Sequence, residues 1–365
     1  MKIAVFHNFL DNIGGAEIVA LTFAKELNAD LYTTNIDYEK IKKMGFENVK
    51  IFSIGKVPIN APFRQQIAFY KFRKLNLRNK YNYYIIAGDW AMSGCVNNKP
   101  NLWYIHSPLN ELWEFRDYIR NNIVDRSKRP IYDLWVLYNR YLNKKYIKHA
   151  EKLVCNSENT KNRVKKYLKR EDVVVINPPV KSTEYKNSKS KGYWLSVNRL
   201  FKNKRIDIQI EAFKKLKKEK LIIIGSYEKS NHFKKHFYHL IKNKPKNVEI
   251  KSWVDFEGLK KLYANCKGFI TTAKDEDFGM TVVEAMASGK PVIAPDEGGY
   301  KESLIHNKTG ILIKDINSNK LVEAIKEINK KLKISPNRYV KICQKQASKF
   351  DTKIFIKKIK EEIKR

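Results

Sequence analysis

The sequence predicts an α/β protein made of two Rossmann-like domains, each with a doubly wound parallel sheet. Three observations carry that expectation. The 365 residues exceed what one ordinary core organises, so two domains are expected, and the 43% apolar content can fill two cores. Short apolar runs alternate with helical patterns along the chain, as in sheets covered by helices on both faces. The chain also opens as a βαβ unit, with a glycine pair at its first strand-to-helix turn.

Residues 2–7, Lys-Ile-Ala-Val-Phe-His, read as a buried strand, and 8–15 as a loop. Residues 16–27 then place Ile18, Val19, Leu21, Phe23, Ala24 and Leu27 at helical spacing. Further strands are predicted at 30–34, 49–54, 83–87, 102–106 and 152–156, and a long aromatic helix at 130–149. Ser157 reads as a helix N-cap. The stretch 177–191 is polar and reads as a linker. A second series follows, with strands at 193–197, 220–224, 248–250, 268–272 and 291–294 and a helix at 205–217. Residues 351–364 read as a terminal amphipathic helix capped by Asp351. The predicted domains are 1–180 and 181–345, with 346–365 as a closing helix.

The formal charge is +35, from 73 basic and 38 acidic residues. Nucleic-acid binding, attraction to an anionic membrane and a Lys-rich composition all produce such a balance. Lysines spread over the whole length favour compositional bias, then membrane attraction, then nucleic acid. The helix-like stretch 64–80 mixes Phe69, Tyr70, Phe72 and Leu75 with Arg64, Lys71, Arg73, Lys74 and Arg78. It reads equally as a membrane-surface helix or as a surface helix with a buried aromatic face. No apolar run is long enough to span a bilayer. The N-terminus lacks the zones of a signal peptide, so an intracellular protein is expected. Cys95, Cys155, Cys266 and Cys343 lie far apart and are expected as buried free thiols.

The strongest chemical signal is Glu276-Asp277-Phe278-Gly279-Met280-Thr281-Val282-Val283-Glu284. Glu276 falls on a loop after a strand, and Glu284 falls inside a helix that starts near Met280. Gly279 allows close backbone approach to a ligand. The first helical amides can receive phosphate or sugar oxygens, and a carboxylate one turn in can accept two ribose hydroxyls. Elsewhere, Gly14-Gly15 forms a turn between a strand and a helix. Glu17 either points toward a ligand or complements the helix dipole. His106 ends a parallel strand, where such sheets bind ligands, and Asp89 follows another strand.

The residues after Glu284 complete a pattern: Gly289-Lys290-Pro291-Val292-Ile293-Ala294, then Gly298-Gly299-Tyr300-Lys301-Glu302 and Lys308-Thr309-Gly310. In order and spacing this resembles the retaining glycosyltransferases of family 4, which have the GT-B fold. The resemblance is dense in the second half and sparse in the first. It implies two facing Rossmann-like domains, the first for the acceptor and the second for a sugar-nucleotide donor, with the last helix crossing back to the first domain. It implies that Glu276 holds donor-sugar hydroxyls and Glu284 the ribose. The backbone of Phe278, Gly279, Met280 and Thr281 would meet the sugar and phosphates.

Arg199 and Lys204 match the family's two cations, which stabilise charge on the leaving diphosphate. Asn198 stands where a Gly is common. Lys202 and Arg205 read as ordinary surface cations. The Gly14-Gly15 turn would reach the diphosphate, and His106, within a Tyr104–Trp113 stretch similar to a subgroup that includes many mannosyltransferases, would lie near the transferred sugar. Two fixed cations can replace a divalent metal, so no metal and no cofactor beyond the sugar nucleotide are expected. The donor is a GDP- or UDP-sugar, with GDP-mannose favoured. The acceptor is a glycan or lipid-linked glycan, the location cytoplasmic or peripheral at the inner membrane face. Two other readings remain: a phosphorylase or sugar-nucleotide hydrolase of the same fold, and a basic nucleic-acid-binding protein.

Overall fold

Apolar β-branched and aromatic runs such as Ile3-Ala4-Val5-Phe6 and Tyr83-Tyr84-Ile85-Ile86 are buried along their whole length. Such strands need neighbours on both edges and helices on both faces. In the computed structural model, which describes residues 1–12, 14–59, 63–225, 238, 240–251 and 254–364, they obtain both. The first sheet has seven parallel strands: β1 (Ile3–Phe6), β2 (Asp30–Thr33), β3 (Ile51–Ser53), β4 (Tyr83–Ile86), β5 (Asn101–Ile105), β6 (Lys152–Cys155) and β7 (Val173–Val175). Their spatial order is β3-β2-β1-β4-β5-β6-β7.

The second sheet has six parallel strands: β8 (Tyr193–Val197), β9 (Lys220–Ile224), β10 (Val248–Lys251), β11 (Gly268–Ile270), β12 (Val292–Pro295) and β13 (Gly310–Ile313). Their order is β10-β9-β8-β11-β12-β13. Both sheets reverse direction of growth beside their first strand, which is the doubly wound topology the sequence predicts. β7 and β13 are additions to that prediction. Both are short edge strands, and flanking charged and turn residues mask their apolar runs.

The chain divides into two compact units, residues 1–177 with 355–365 and residues 178–354. Two boundaries differ from the sequence reading. The stretch 181–191 is more than a linker, because Tyr185 within it is buried in the core of the second unit. The return to the first unit falls at Phe355, later than 346, because the helix Val340–Ala347 and the turn Ser348–Phe350 stay with the second unit. There Phe350 packs edge-on against Phe278 at 5.3 Å. The last helix, Thr352–Lys364, starts where Asp351 Oδ1 accepts from the Lys353 amide at 3.0 Å. Its Phe355 then packs on Phe23 and Tyr104 of the first unit, with ring centroids 5.0 and 5.7 Å away.

The helix Phe63–Lys74 buries Ala68, Phe69 and Phe72 in the core and leaves Phe63, Ile67 and Tyr70 exposed. Ser157 caps the helix Glu158–Arg163 by accepting from the Thr160 amide. All four cysteines are buried free thiols. Among the described residues no helix is long and apolar enough to cross a membrane.

Candidate active site

In an open α/β sheet the ligand crevice lies beyond the carboxyl ends of the strands, where the strand order reverses. In the second unit that point is between β8 and β11. The loop after β8 carries Arg199, exposed, and closes in a short turn over Lys202–Lys204. Arg205 follows in a left-handed conformation, φ 48°. Several short bonds join this loop to the one after β11. Thr272 Oγ1 donates to the Lys204 carbonyl at 2.7 Å, the Lys274 amide donates to the Asn203 carbonyl at 2.7 Å, and Arg205 Nε donates to the Thr272 carbonyl at 2.6 Å.

So held, Lys204 Nζ lies 2.5 Å from Glu276 Oε2. The pair is partly open to solvent, so its own contribution to stability is at most about 1 kcal/mol. Arg205 is a correction to the sequence reading. It is a strut between backbone carbonyls and the Glu297 carboxylate, not a free-standing surface cation. Lys202 is exposed, as read.

The loop from Glu276 to Gly279 has little freedom. Gly279 has φ +86°, and a Cβ there would come 2.4 Å from the Tyr300 ring. The Tyr300 hydroxyl is fixed in turn by Thr271 Oγ1 at 2.7 Å. Beneath it the Gly299 amide donates to the Glu276 carbonyl at 2.8 Å, and Gly298 (φ +62°) leaves no room for a side chain there. The two halves of the sequence pattern are therefore one packed unit, which explains why they occur together. Phe278 is buried, so only its backbone faces outward chemistry. Met280 and Thr281 open the helix Met280–Ala287, whose first-turn amides are ready donors for an anion.

Glu284 sits one turn into that helix. Its Oε2 accepts from the Tyr263 hydroxyl at 2.8 Å, and Tyr185 bonds it as well. Burial pushes its carboxyl up to about 6, and the two tyrosine bonds pull it partway back. Sequence reasoning missed both tyrosines. Tyr263 looks like one more core position of an amphipathic helix, and Tyr185 lies in a stretch whose polarity hides it.

In the first unit the switch point lies between β1 and β4. His7 follows β1, Ala87 follows β4, and His106 follows β5. The Ala87 carbonyl lies 2.8 Å from His7 Nδ1 and 3.1 Å from His106 Nε2. Burial holds the His106 imidazole down at about 4, with His7 lowering it further and Glu17 opposing, so His106 is neutral at pH 7. Of the two roles the sequence left open for Glu17, the structure shows the one at the helix start, with a contact to His7 besides. Its Oε2 accepts from the Gly14 amide at 2.8 Å at the helix start, while its Oε1 lies 3.6 Å from His7 Nε2. Gly14 and Gly15 thus form the helix entry beside this cluster. The rule that singles out His106, a histidine just past a parallel strand, applies equally to His7, which the sequence reading passed over. Asp89 is half-buried on the loop after β4.

A cavity of about 730 Å³ in the second unit lies at the opposite end of the sheet, lined by Gly192, Cys266, Lys267, Lys290 and Pro291 among others. Those residues precede β8, β11 and β12. Amino ends of strands are not where such sheets bind their substrate, so the candidate site is the one on the carboxyl-end loops. Among the described residues, no three His, Cys, Asp or Glu side chains gather at metal-binding spacing.

Two doubly wound parallel sheets, with a cation–carboxylate pair and a glycine-opened helix at the crevice of the second, make the architecture of a ligand-binding α/β enzyme. Residues 180–346 match the family Glycosyl transferases group 1, and residues 13–184 match Glycosyltransferase Family 4. The chain belongs to this glycosyltransferase family. It is 31% identical over 191 residues to an uncharacterized glycosyltransferase of Methanocaldococcus jannaschii, spanning 52% of each chain. It is 26% identical to the alpha-1,3/1,6-mannosyltransferase ALG2 of Candida glabrata, over 84% of this chain and 78% of that protein. Among solved structures, HepE of Anabaena in complex with UDP and glucose superposes with a TM-score of 0.78 at 18% identity, covering 100% of both chains. Sucrose-phosphate synthase of Thermosynechococcus elongatus superposes with a TM-score of 0.76 at 16% identity, covering 100% of this chain and 98% of that one.

Proposed function

We propose that the chain moves a hexose from a nucleotide-diphosphate sugar to an acceptor hydroxyl on a glycan or lipid-linked glycan, with retention of anomeric configuration. The observation that carries this reading is the Lys204–Glu276 pair beside the Gly279 helix entry. As the glycosidic bond breaks, negative charge grows on the departing diphosphate. Lys204 and Arg199 would meet that charge, and the amides of Gly279, Met280 and Thr281 would add fixed dipoles. Glu276, released by Lys204 when the phosphates arrive, would hold sugar hydroxyls. Glu284, oriented by Tyr263 and Tyr185, would hold the ribose. Gly14 and Gly15 would add close backbone contact, and neutral His106 would offer a hydrogen bond near the transferred sugar.

With two cations in place the reaction needs no metal. The likeness to ALG2 mannosyltransferases supports mannose, and hence GDP-mannose, as donor; the likeness to a UDP-bound structure supports a UDP-sugar as the alternative. The first unit would take the acceptor, at the cytoplasmic face of a membrane.

The test is a thermal-shift panel with UDP, GDP, ADP and their sugar conjugates on wild type, Glu284→Ala and Arg199→Ala. A ligand at a hundredfold excess over its Kd adds about 2.7 kcal/mol of stability. One nucleotide family should stabilise wild type and fail in both variants. No shift from any of them would overturn the donor site. Product formed without a hydroxyl acceptor would favour a hydrolase instead.

A further inference from the structure

A helix lying on a soluble core normally turns polar residues to the water. The helix Arg129–Tyr146 does not. One face buries Val136, Asn139, Leu142 and Asn143. Yet Ile131, Leu134, Leu137 and Tyr141 are 72, 68, 62 and 57% exposed. Positions 131, 134, 138 and 141 recur at helical spacing and form one stripe. The stripe continues onto the helix Phe63–Lys74, where the Tyr70 hydroxyl meets that of Tyr138 at 2.5 Å and Gln66 Nε2 donates to Asn139 Oδ1 at 3.2 Å. There Phe63, Ile67 and Tyr70 are exposed too. A contiguous apolar face of this kind on a water-soluble surface marks an interaction site.

Its charge selects the partner. Lys144, Lys145 and Lys148 are exposed just past the stripe, and Arg126 and Lys128 are exposed before it. The helix Phe63–Lys74 has Lys71, Arg73 and Lys74 and no acidic residue, its Arg64 being taken by Asp11. The one acidic residue of the helix Arg129–Tyr146, Asp133, is taken by Arg116 and Arg120. An apolar strip with tyrosines, bordered chiefly by cations, with exposed Asp125 paired to Lys128 at 3.7 Å, matches the headgroup boundary of an anionic bilayer. We propose that this face docks the protein on an anionic lipid surface, with Ile131, Leu134 and Leu137 entering the acyl boundary and the flanking lysines meeting the headgroups. This deepens the proposed function by naming the face that would bring the enzyme to a lipid-linked acceptor, and it rests on that reading only for its purpose.

The experiment is flotation of the full chain with phosphatidylcholine vesicles, with and without phosphatidylglycerol. Wild type should float with the anionic vesicles and less so as salt rises. The double variant Leu134→Ser, Leu137→Ser should lose about tenfold or more in partitioning. A second variant, Lys144→Gln, Lys145→Gln, Lys148→Gln, should lose the preference for phosphatidylglycerol. Both change exposed residues away from the donor loops, so melting temperature and nucleotide-induced shift should match wild type. Absence of wild-type flotation, or equal flotation of the apolar variant, would overturn the proposal. So would size-exclusion chromatography showing a wild-type dimer that the apolar variant dissociates, because the face would then join two copies. Flotation without any nucleotide shift would remove the transfer reading and leave the docking face standing.

Discussion

Lys204 and Glu276 come from different strand ends, yet their charged atoms lie 2.5 Å apart because the loops that carry them are joined through Thr272, Arg205 and Lys274. The joined loops hold a cation and a carboxylate side by side at the helix entry, where an arriving diphosphate would draw Lys204 away and free Glu276 for the sugar.

Replacing Lys204 with Ala should lower kcat about 100-fold or more, the usual loss for one preorganised charge-stabilising group. The pair is open to solvent, so stability should change by less than about 1 kcal/mol. Steady-state kinetics and thermal melts on the same preparation check both. A large loss of stability with activity retained would mean the pair is a structural clamp.

If Glu284 holds the ribose as proposed, donor binding should depend on pH. Its carboxyl sits at about 6, above the usual carboxylate value, so the folded state holds a proton there that the unfolded chain has released. Its contribution to stability is present at low pH and is lost as pH rises through about 6, on the order of 2 kcal/mol in all. Ribose hydroxyls need the ionised form, so sugar-nucleotide affinity should rise across the same interval. Calorimetric titration from pH 5 to 8 should show it, and Glu284→Gln should flatten the profile.

Tyr263→Phe removes a bond that favours the ionised Glu284. The midpoint of the affinity profile should move to higher pH, and stability should fall by about 1 kcal/mol. An unmoved midpoint would show that Tyr263 only packs.

Burial keeps His106 neutral above about pH 4, so it should contribute no limb to a rate profile between pH 5 and 9. His106→Ala should lower kcat while leaving the nucleotide-induced thermal shift intact.

Chelation with EDTA should leave transferase activity unchanged, because on the proposed reading Lys204 and Arg199 would supply the charge a divalent ion otherwise provides. Activity that disappears with EDTA and returns with Mg²⁺ or Mn²⁺ would contradict this.

The topology of both sheets is legible because fully buried parallel strands are written as unbroken apolar runs. β7 and β13 escape because edge strands are short and bordered by charge. Of the residues the sequence singles out, Lys204, Glu276 and Gly279 are brought together on the carboxyl-end loops of the second sheet, and their glycine-marked loops and strand ends are what made them legible. The supporting residues are illegible for a common reason. Tyr185, Tyr263 and Arg205 act through tertiary contacts with groups 99, 21 and 67 positions away, and nothing local distinguishes them from core or surface. His7 is the exception, since the strand-end rule reaches it without any tertiary knowledge.

The packing of Phe355 on Phe23 and Tyr104 has a consequence for the order of events during synthesis. The first unit emerges from the ribosome first, but one wall of its core is encoded after the whole of the second. A nascent chain that ends before residue 355 presents Phe23 and Tyr104 without their cover. The second unit can close on its own residues, and the first is completed only afterwards. Proteolysis of stalled chains of increasing length should therefore find the later-translated unit protected before the earlier one.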